Sequence, residues 1–323
     1  MQCRVTRGST PESVHEVYVV AVDEKDNILY NSGSPDYLTC ARSSLKPFQA
    51  AASVEIGAVD AAKFSETELA LMCASHSGEA IHVKTAQGML NKLGTTPDVY
   101  ECGIHLPYNK ETSKYLTKNE SELSPLHNNC SGKHAGMLCL SKFLKVDPTG
   151  YTKPDHPVQK TILKYLKQLT GLKNMPIGID GCSAATPFLS LYAISVLFKK
   201  LGQKETPALK SVYEAMVNNP YLIGGKKRFD TDFIAALKGR AVAKIGGEAI
   251  QGIAFQQGNG KSIGIALKVL DGNPRCLPVA IMSLLKKLDL LSKSESDQLK
   301  YWATKKLFNH RKLHIGNILV DFN

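Results

Sequence analysis

Short segments typical of β-strands near both ends of the chain limit the possible fold more than any other feature. "VYVVAV" and "NILYNSG", joined by the charged turn "DEKD", predict an N-terminal β-hairpin. Near the C-terminus, "AVAKIGGEAIQGIAF" and "SIGIALKVL" show the alternation of two strands and predict a second hairpin. Helical patterns separate the two hairpins. We therefore predict an α+β fold with an antiparallel sheet built from N- and C-terminal strands and a helical lobe between them.

Several segments between and after the hairpins repeat their apolar residues with helical spacing. "LKPFQAAASVEIG" predicts a helix that tolerates Pro47 in its first turn and ends near Gly57. "SETELALMCAS" begins with a capping box formed by Ser65 and Glu68. Further helices are predicted at "GKHAGMLCLSKFL", "FLSLYAISVLFKKLG", "PVAIMSLLKKL" and "ESDQLKYWATKKL".

Length and composition favour an ordinary globular protein. The 323 residues are 43% hydrophobic and 21% charged, and we predict one folded unit, 1–323, of two intimately joined lobes whose helical part covers about 60–220. The longest apolar run, "FLSLYAISVLF", is shorter than the roughly 20 residues that span a bilayer, and the N-terminus has no apolar signal segment. We expect a cytoplasmic protein without a membrane partner. Its eight scattered cysteines are expected to be reduced.

The net charge of +11 raises the question of nucleic-acid binding. The basic residues, however, recur at helical spacing, as in "KTILKYLKQLTGLK", which is typical of a solvated helix face. "GNGKS" at 258–262 resembles the end of a phosphate-binding loop, but Phe255 stands where the first glycine belongs and a strand follows. We therefore expect neither a nucleic-acid partner nor a nucleotide or other organic cofactor.

A serine and a lysine three residues apart form the first candidate catalytic pair. In "RSSLK", Ser43 and Lys46 lie on one face at the start of a predicted helix, so the amine can reach the hydroxyl. A lysine with a lowered pKa can take the proton of such a serine in acyl transfer. The isolated motif also fits a serine N-cap followed by a surface lysine.

Two later motifs strengthen the catalytic interpretation. "KIGG" places Lys244 in a strand of the second hairpin, and "ASHSGE" places Ser75 in a loop after a helix. Together with S-x-x-K they follow the motif order of serine enzymes that use S-x-x-K, S-D-N and K-T-G elements. We predict two pairs, Ser43 with Lys46 and Ser75 with Lys244, facing one pocket. For Ser75 alone, an ordinary loop serine is the alternative.

"NNCSGKHAGM" and "IDGCS" each place a cysteine at a turn between elements. Thiolates of Cys130 and Cys182 at such positions can bind a soft metal ion. Their spacing matches no zinc finger, so two unrelated, half-buried thiols remain an alternative on spacing alone.

Eight strings resemble the Rhizobium-type L-asparaginases, the asparaginase II family. These are "VTRG", "ESVH", "RSSLKPFQA", "ASHSGE", "NNCSGKHAGML", "GIDGCS", "RFDT" and "GIALKVLDG", in order from residue 5 to about 272. The resemblance implies a fold similar to serine β-lactamases and glutaminases, hydrolysis of L-asparagine to aspartate and ammonia, and a homodimer.

The resemblance also assigns site residues. It implies that the two serine–lysine pairs form the catalytic centre and that zinc, where present, is held by the positions matching Cys130, Lys133 and Cys182. His134 and Asp180 are implied to bind the substrate, with Arg42 as a further candidate for its carboxylate. One departure is Ala249, which stands in "KIGGEAI" where the family usually has glycine.

Two other functions remain open at this point. A β-lactamase-like or glutaminase-like serine amidohydrolase would share the serine–lysine motifs. A thiol or zinc sensor would use Cys130 and Cys182 without serine chemistry.

Overall fold

The computed structural model describes residues 1–119, 122–258 and 261–322. Its strands are β1 (Gln2–Arg7), β2 (Thr10–Val22), β3 (Ile28–Ser32), β4 (Leu38–Cys40), β5 (Ile177–Ile179), β6 (Ala185–Ser190), β7 (Ala241–Gly246), β8 (Ile250–Gly258), β9 (Lys261–Val269), β10 (Lys305–Phe308) and β11 (His314–Asp321). Short 3-10 turns cover Arg42–Leu45, Pro97–Val99, Pro125–His127 and Pro274–Cys276.

The helices occupy the middle of the chain and the segment before the last strands. They are α1 (Lys46–Glu55), α2 (Ala58–Ala61), α3 (Glu66–Met72), α4 (Ala80–Leu93), α5 (Lys110–Lys118), α6 (Ser131–Leu144), α7 (Pro157–Thr170), α8 (Leu191–Gln203), α9 (Pro207–Asn218), α10 (Pro220–Gly224), α11 (Phe229–Leu237), α12 (Leu277–Lys287), α13 (Lys293–Gln298) and α14 (Lys300–Ala303).

The main sheet contains strands from both ends of the chain. Its order is β10-β11-β1-β2-β9-β8-β7, with β3 paired to β2, and neighbouring strands are antiparallel. A smaller sheet has the order β4-β6-β5. The predicted α+β class, with N- and C-terminal strands in one antiparallel sheet, is confirmed.

Helices cover both faces of the main sheet. Side chains alternate along β2, so Val20 and Val22 join a core with the central helices, whereas Val19 and Ala21 join a second core with α11 and α12. The helix α8 packs directly on β9, where a side chain at Gly264 would collide with the backbone oxygen of Ser195. This close packing gives the strands that carry the site a rigid support.

The second predicted hairpin is wrong in its strand count. The segment 241–255 is not one strand: β7 and β8 fold back on each other before β9 pairs with β8. The reversal uses Glu248 and Ala249 in the left-handed region, with φ of 58° and 54°. Gly246 and Gly247, directly before them, are a turn signal that the sequence prediction did not use, although the positive φ angles fall on the two residues that follow.

Two predicted helices are also too long. Residues 188–190 belong to β6 rather than to the start of α8. The helix predicted over 295–307 is broken into α13, α14 and β10. In both places, pairing with a neighbouring strand overrides the local helical pattern. The predicted Ser65–Glu68 capping box and the positions of α1, α3, α6 and α12 are confirmed.

Two findings concern the predicted partners. In the described part of the chain, no helix combines the length and apolar character needed to cross a membrane. Of the segment that resembles a phosphate-binding loop, Asn259 and Gly260 lie outside the described residues.

Candidate active site

A cavity of about 670 Å³ brings together loops that lie far apart in the sequence. Its wall includes the turn before α1, the loop after α3, the segment before α6, the turn between β5 and β6, and the turn between β7 and β8. Lining residues from these five segments include Ser43, Ser75, Cys130, Asp180, Cys182 and Gly246. Most of the residues predicted from sequence therefore meet at one place.

Ser75 lies between the amines of two buried lysines. Lys244 Nζ is 2.8 Å and Lys46 Nζ is 3.1 Å from Ser75 Oγ. All three side chains are buried: Ser75 is 4% exposed, and both lysines are 0% exposed. A hydroxyl in hydrogen-bond contact with two amines, at the wall of a cavity, has the geometry required for proton transfer.

The fold positions each member of this group from a different element. Lys46 begins α1, and its amine also donates to the backbone oxygens of Ala74 and Asn129, at 2.5 and 3.2 Å. Lys244 lies in the middle of β7 and donates to the oxygen of Ile245 at 2.7 Å. Ser75 follows α3 in the chain. Because these carbonyls satisfy the buried amines, both lysines keep a defined orientation.

The surroundings of Lys244 favour its neutral form. Burial lowers the pKa of this amine to about 7, and the nearby charges of Lys46 and Arg228 act in the same direction, against the carboxylate of Asp230. Asp230 itself accepts hydrogen bonds from the Ile245 amide and the Gln251 side chain. A lysine with such a pKa can accept a proton near neutral pH.

Ser43 lies in the cavity wall, apart from the Ser75 hydrogen bonds. The side chain of Ser43 is half-buried and lines the cavity. The amine of Lys46, the predicted partner of Ser43, instead contacts Ser75 and two backbone oxygens. In this structure both lysines therefore meet at one serine, while Ser43 offers a second hydroxyl to the same cavity.

An ion pair stands beside these hydroxyls. Arg42 Nε donates to Asp180 Oδ1 at 2.9 Å, and Arg42 Nη1 is 3.6 Å from Glu248 Oε1. Burial acts to raise the pKa of the Asp180 carboxyl, but the charges of Lys133 and Arg42 outweigh this effect and lower the pKa below its usual value. The cavity therefore offers a cation and an anion side by side, which suits a ligand that carries both charges.

His134 is placed behind the cavity wall. The imidazole is 0% exposed, lies outside the set of lining residues, and makes a 2.7 Å hydrogen bond through Nδ1 with Tyr151 Oη. Its Nε2 has no hydrogen-bond partner within the described ranges. Burial and the Lys133 charge lower its pKa to about 3, so the ring is neutral. The predicted role in substrate binding stays a prediction, and the observed contact is with Tyr151.

Cys130, Lys133 and Cys182 converge next to Asp180. Lys133 Nζ donates to Cys182 Sγ at 2.8 Å. A hydrogen bond from Cys130 and the charge of Lys133 lower the pKa of the Cys182 thiol to about 5. The same hydrogen bond and burial raise the pKa of the Cys130 thiol to about 12. These pKa shifts favour a thiolate at Cys182 beside the ammonium group of Lys133.

These three side chains suit the implied zinc ion only if the lysine amine is counted among its donors. Within the described ranges, no group of three or more His, Cys, Asp or Glu side chains is arranged to hold a metal ion. Two buried thiols and the amine of Lys133 do meet at one point, however, and two sulfur donors suit a soft cation. The residues fit zinc if the lysine amine loses its proton and serves as the third donor.

Two residues that the sequence predictions did not assign to the site hold its loops. His76 Nδ1 accepts from the Gly78 amide, and its Nε2 contacts Ser131 Oγ at 2.9 Å, which ties the loop of Ser75 to the start of α6. Asn129 offers its backbone oxygen to Lys46 and its side chain to His105. Both lie within strings that carry the family resemblance, "ASHSGE" and "NNCSGKHAGML", which is the signal that could have found them.

A buried hydroxyl held by two amines at a cavity, beside a cation and an anion, is typical of an enzyme active site for a small charged molecule. The sequence profile of the L-asparaginase II family matches residues 3–320. The chain therefore belongs to the L-asparaginase II family, as its motifs predicted. A search among curated proteins gave no match.

Proposed function

We propose that the protein hydrolyses L-asparagine to L-aspartate and ammonia with a serine–lysine centre. The position of Ser75 between Lys46 and Lys244 carries this proposal, because it gives a hydroxyl and a base in contact inside the cavity. Membership of the L-asparaginase II family supports the choice of substrate. The terminal strands in one sheet under a helical lobe agree with the implied β-lactamase/glutaminase-like fold.

The contacts suggest the order of events. Neutral Lys244 takes the proton of Ser75, while Lys46, anchored by two carbonyls, holds the same oxygen in place. A serine oxygen of the cavity attacks the side-chain amide carbon, the carbon–nitrogen bond breaks, and the nitrogen leaves with a proton as ammonia. Water then cleaves the ester and releases aspartate. Ser75 can act as the nucleophile itself or pass the proton from Ser43, which shares the cavity.

Arg42 and Asp180 are proposed to orient the substrate. The guanidinium group suits the α-carboxylate of asparagine, and the carboxylate of Asp180 suits its α-ammonium group. Both protein charges belong to one ion pair at the cavity wall, so both backbone charges of the substrate would be held at the same end. The side-chain amide would then point away from that pair.

Cys130, Lys133 and Cys182 are proposed to hold zinc. They lie next to Asp180, whose Oδ2 is 3.8 Å from Cys182 Sγ. When bound, the cation would supply a Lewis acid that holds and polarises a substrate oxygen. The serine–lysine chemistry already has a nucleophile and a base, so the two proposals can be tested separately.

Ammonia release is the direct test of the activity. Purified protein is incubated with L-asparagine and, in parallel, with L-glutamine and a penicillin. We expect ammonia from L-asparagine at a higher kcat/KM than from L-glutamine, and no stable penicillin adduct by intact mass. Faster glutamine hydrolysis would favour a glutaminase, and a stable penicilloyl adduct would favour a β-lactam-recognising enzyme. No turnover, together with zinc binding, would favour the sensor.

The pH profile of the reaction tests Lys244 as the base. Because the base must be neutral and its pKa is lowered to about 7, kcat/KM for L-asparagine should rise about ten-fold per pH unit below neutrality and level off above it. The measurement is kcat/KM from pH 5 to 9 with protein stability checked at each pH. A profile that stays flat across pH 7 would contradict this role.

A further inference from the structure

A second cavity of about 550 Å³ shares part of its wall with the catalytic cavity. Pro274, Pro278 and Trp302 line both cavities. We propose, resting on the proposed asparaginase chemistry, that this second cavity binds the leaving group of a larger substrate: an amide between the side-chain carboxyl of aspartate and the amino group of an aromatic amino acid. The enzyme would thus cleave β-aspartyl dipeptides as well as asparagine.

The available volume is larger than asparagine requires. Cavities of roughly 300–1,000 Å³ typically enclose ligands of drug size. The catalytic cavity of about 670 Å³ already lies in this range. In the hydrolysis of asparagine the leaving group is ammonia, which needs no separate binding surface. The adjoining cavity therefore matches a substrate that continues beyond the amide nitrogen.

The lining of the second cavity indicates what this extension contains. Tyr301, Trp302 and Phe308 contribute aromatic rings, and Val279 adds an apolar side chain. Trp302 is held in place, because its Nε1 donates to Asp232 and its ring packs edge-on against Phe229. The fixed indole of Trp302, with the rings of Tyr301 and Phe308 in the same lining, suits an aromatic side chain of the ligand.

Charge specifies the rest of the ligand. Basic side chains at the second cavity come from Arg275, Lys305 and Lys306, and in the described chain no acidic side chain lines it. A free α-carboxylate next to an aromatic ring complements this combination. An amino acid such as phenylalanine carries both groups when its amino group forms the amide.

The proposed orientation of aspartate decides which end is extended. Arg42 and Asp180 pair with each other and are proposed to hold the α-carboxylate and the α-ammonium group. A peptide bond at either α-group would remove one of the charges that this pair recognises. The side-chain amide nitrogen is the remaining point of attachment, and it is the atom that leaves in the reaction.

The reaction balances without a further reactant. The serine oxygen forms an ester with the side-chain carbonyl carbon of aspartate, and the carbon–nitrogen bond breaks. The nitrogen leaves with the serine proton as the amino group of phenylalanine, and one water then cleaves the ester to give aspartate. This step differs from asparagine hydrolysis only in the group on nitrogen.

The test compares β-aspartyl-phenylalanine with β-aspartyl-glycine and α-aspartyl-phenylalanine, with released amino acid measured by chromatography. We expect kcat/KM for β-aspartyl-phenylalanine to exceed that for β-aspartyl-glycine about ten-fold or more, since an apolar contact gives about 10- to 200-fold discrimination. The α-linked peptide should not be cleaved. L-asparagine is assayed alongside, so that loss of all activity is attributed to the proposed function and not to the second cavity.

Two variants locate the effect. Phe308→Ala should lower kcat/KM for β-aspartyl-phenylalanine about ten-fold and leave L-asparagine unchanged. Leu313→Ala is the matched control, because Leu313 is 52% exposed against 56% for Phe308 and does not line the cavity. Lys306→Glu should act like Phe308→Ala, and Lys300→Glu, another exposed lysine, should not.

Three results would overturn the proposal. The first is equal kcat/KM for the two β-aspartyl peptides in an enzyme that hydrolyses L-asparagine. The second is an equal effect of Phe308→Ala and Leu313→Ala on β-aspartyl-phenylalanine. The third is dissociation of an oligomer by Phe308→Ala with unchanged kinetics, which would assign this surface to a second copy of the chain.

Discussion

Ser75→Ala is expected to lower kcat for L-asparagine by about three orders of magnitude or more. Its hydroxyl contacts both lysine amines at 2.8 and 3.1 Å, so removing it separates the base from the reacting group whichever serine carries the acyl group. Steady-state ammonia release measures kcat, and the thermal midpoint checks folding. Lys244→Arg should be similarly inactive, because arginine keeps its proton near neutral pH.

Ser43→Ala separates the two forms of this mechanism. If Ser43 accepts the acyl group, its alanine variant loses as much activity as Ser75→Ala. Peptide mass mapping of the wild type after reaction with a slow substrate then shows the adduct on the peptide that contains Ser43. If Ser75 is the nucleophile, the adduct lies on Ser75 and Ser43→Ala retains more activity. Near wild-type turnover in both alanine variants would end the serine–lysine mechanism.

Cys182→Ser is expected to remove zinc and to raise KM for L-asparagine about ten-fold or more. Cys182 Sγ lies 2.8 Å from Lys133 Nζ, where the proposed donors meet, and a hydroxyl is a much poorer ligand for a soft cation than a thiolate. Metal content by mass spectrometry should fall from about one zinc per chain to near zero, in line with three protein ligands and an open position. The thermal midpoint should fall only modestly.

A buried cysteine elsewhere provides the control for this variant. Cys139 is 1% exposed, and its Sγ donates to the Ala58 oxygen, away from the cavity. Cys139→Ser therefore repeats the chemical change at a buried position and should leave zinc content and KM unchanged. Metal-free wild-type protein after preparation in the presence of zinc, or wild-type KM in Cys182→Ser, would contradict the zinc proposal and leave the serine–lysine proposal standing.

Local features of the fold could be predicted because they depend on neighbours within a turn or a strand. The capping box at Ser65 and Glu68 and the helix that begins just after Cys130 are examples. The turn between β7 and β8 is signalled by Gly246 and Gly247. The residues that adopt the positive φ could not be predicted, because Glu248 and Ala249 are types that rarely do so and are constrained here by three paired strands.

The sequence by itself determined which chemical groups the site contains, because the serines, lysines and cysteines of the site all lie in motifs that can be recognised along the chain. The order of the motifs also predicted the pair of Ser75 with Lys244, which lie 169 residues apart in the chain and 2.8 Å apart in the structure. Tertiary structure alone decided that Lys46, 29 residues before Ser75, contacts the same serine. The physical reason lies in burial: a buried amine must find acceptors, and Lys46 finds them at Ala74 and Asn129, which directs it to Ser75 instead of its sequence neighbour Ser43.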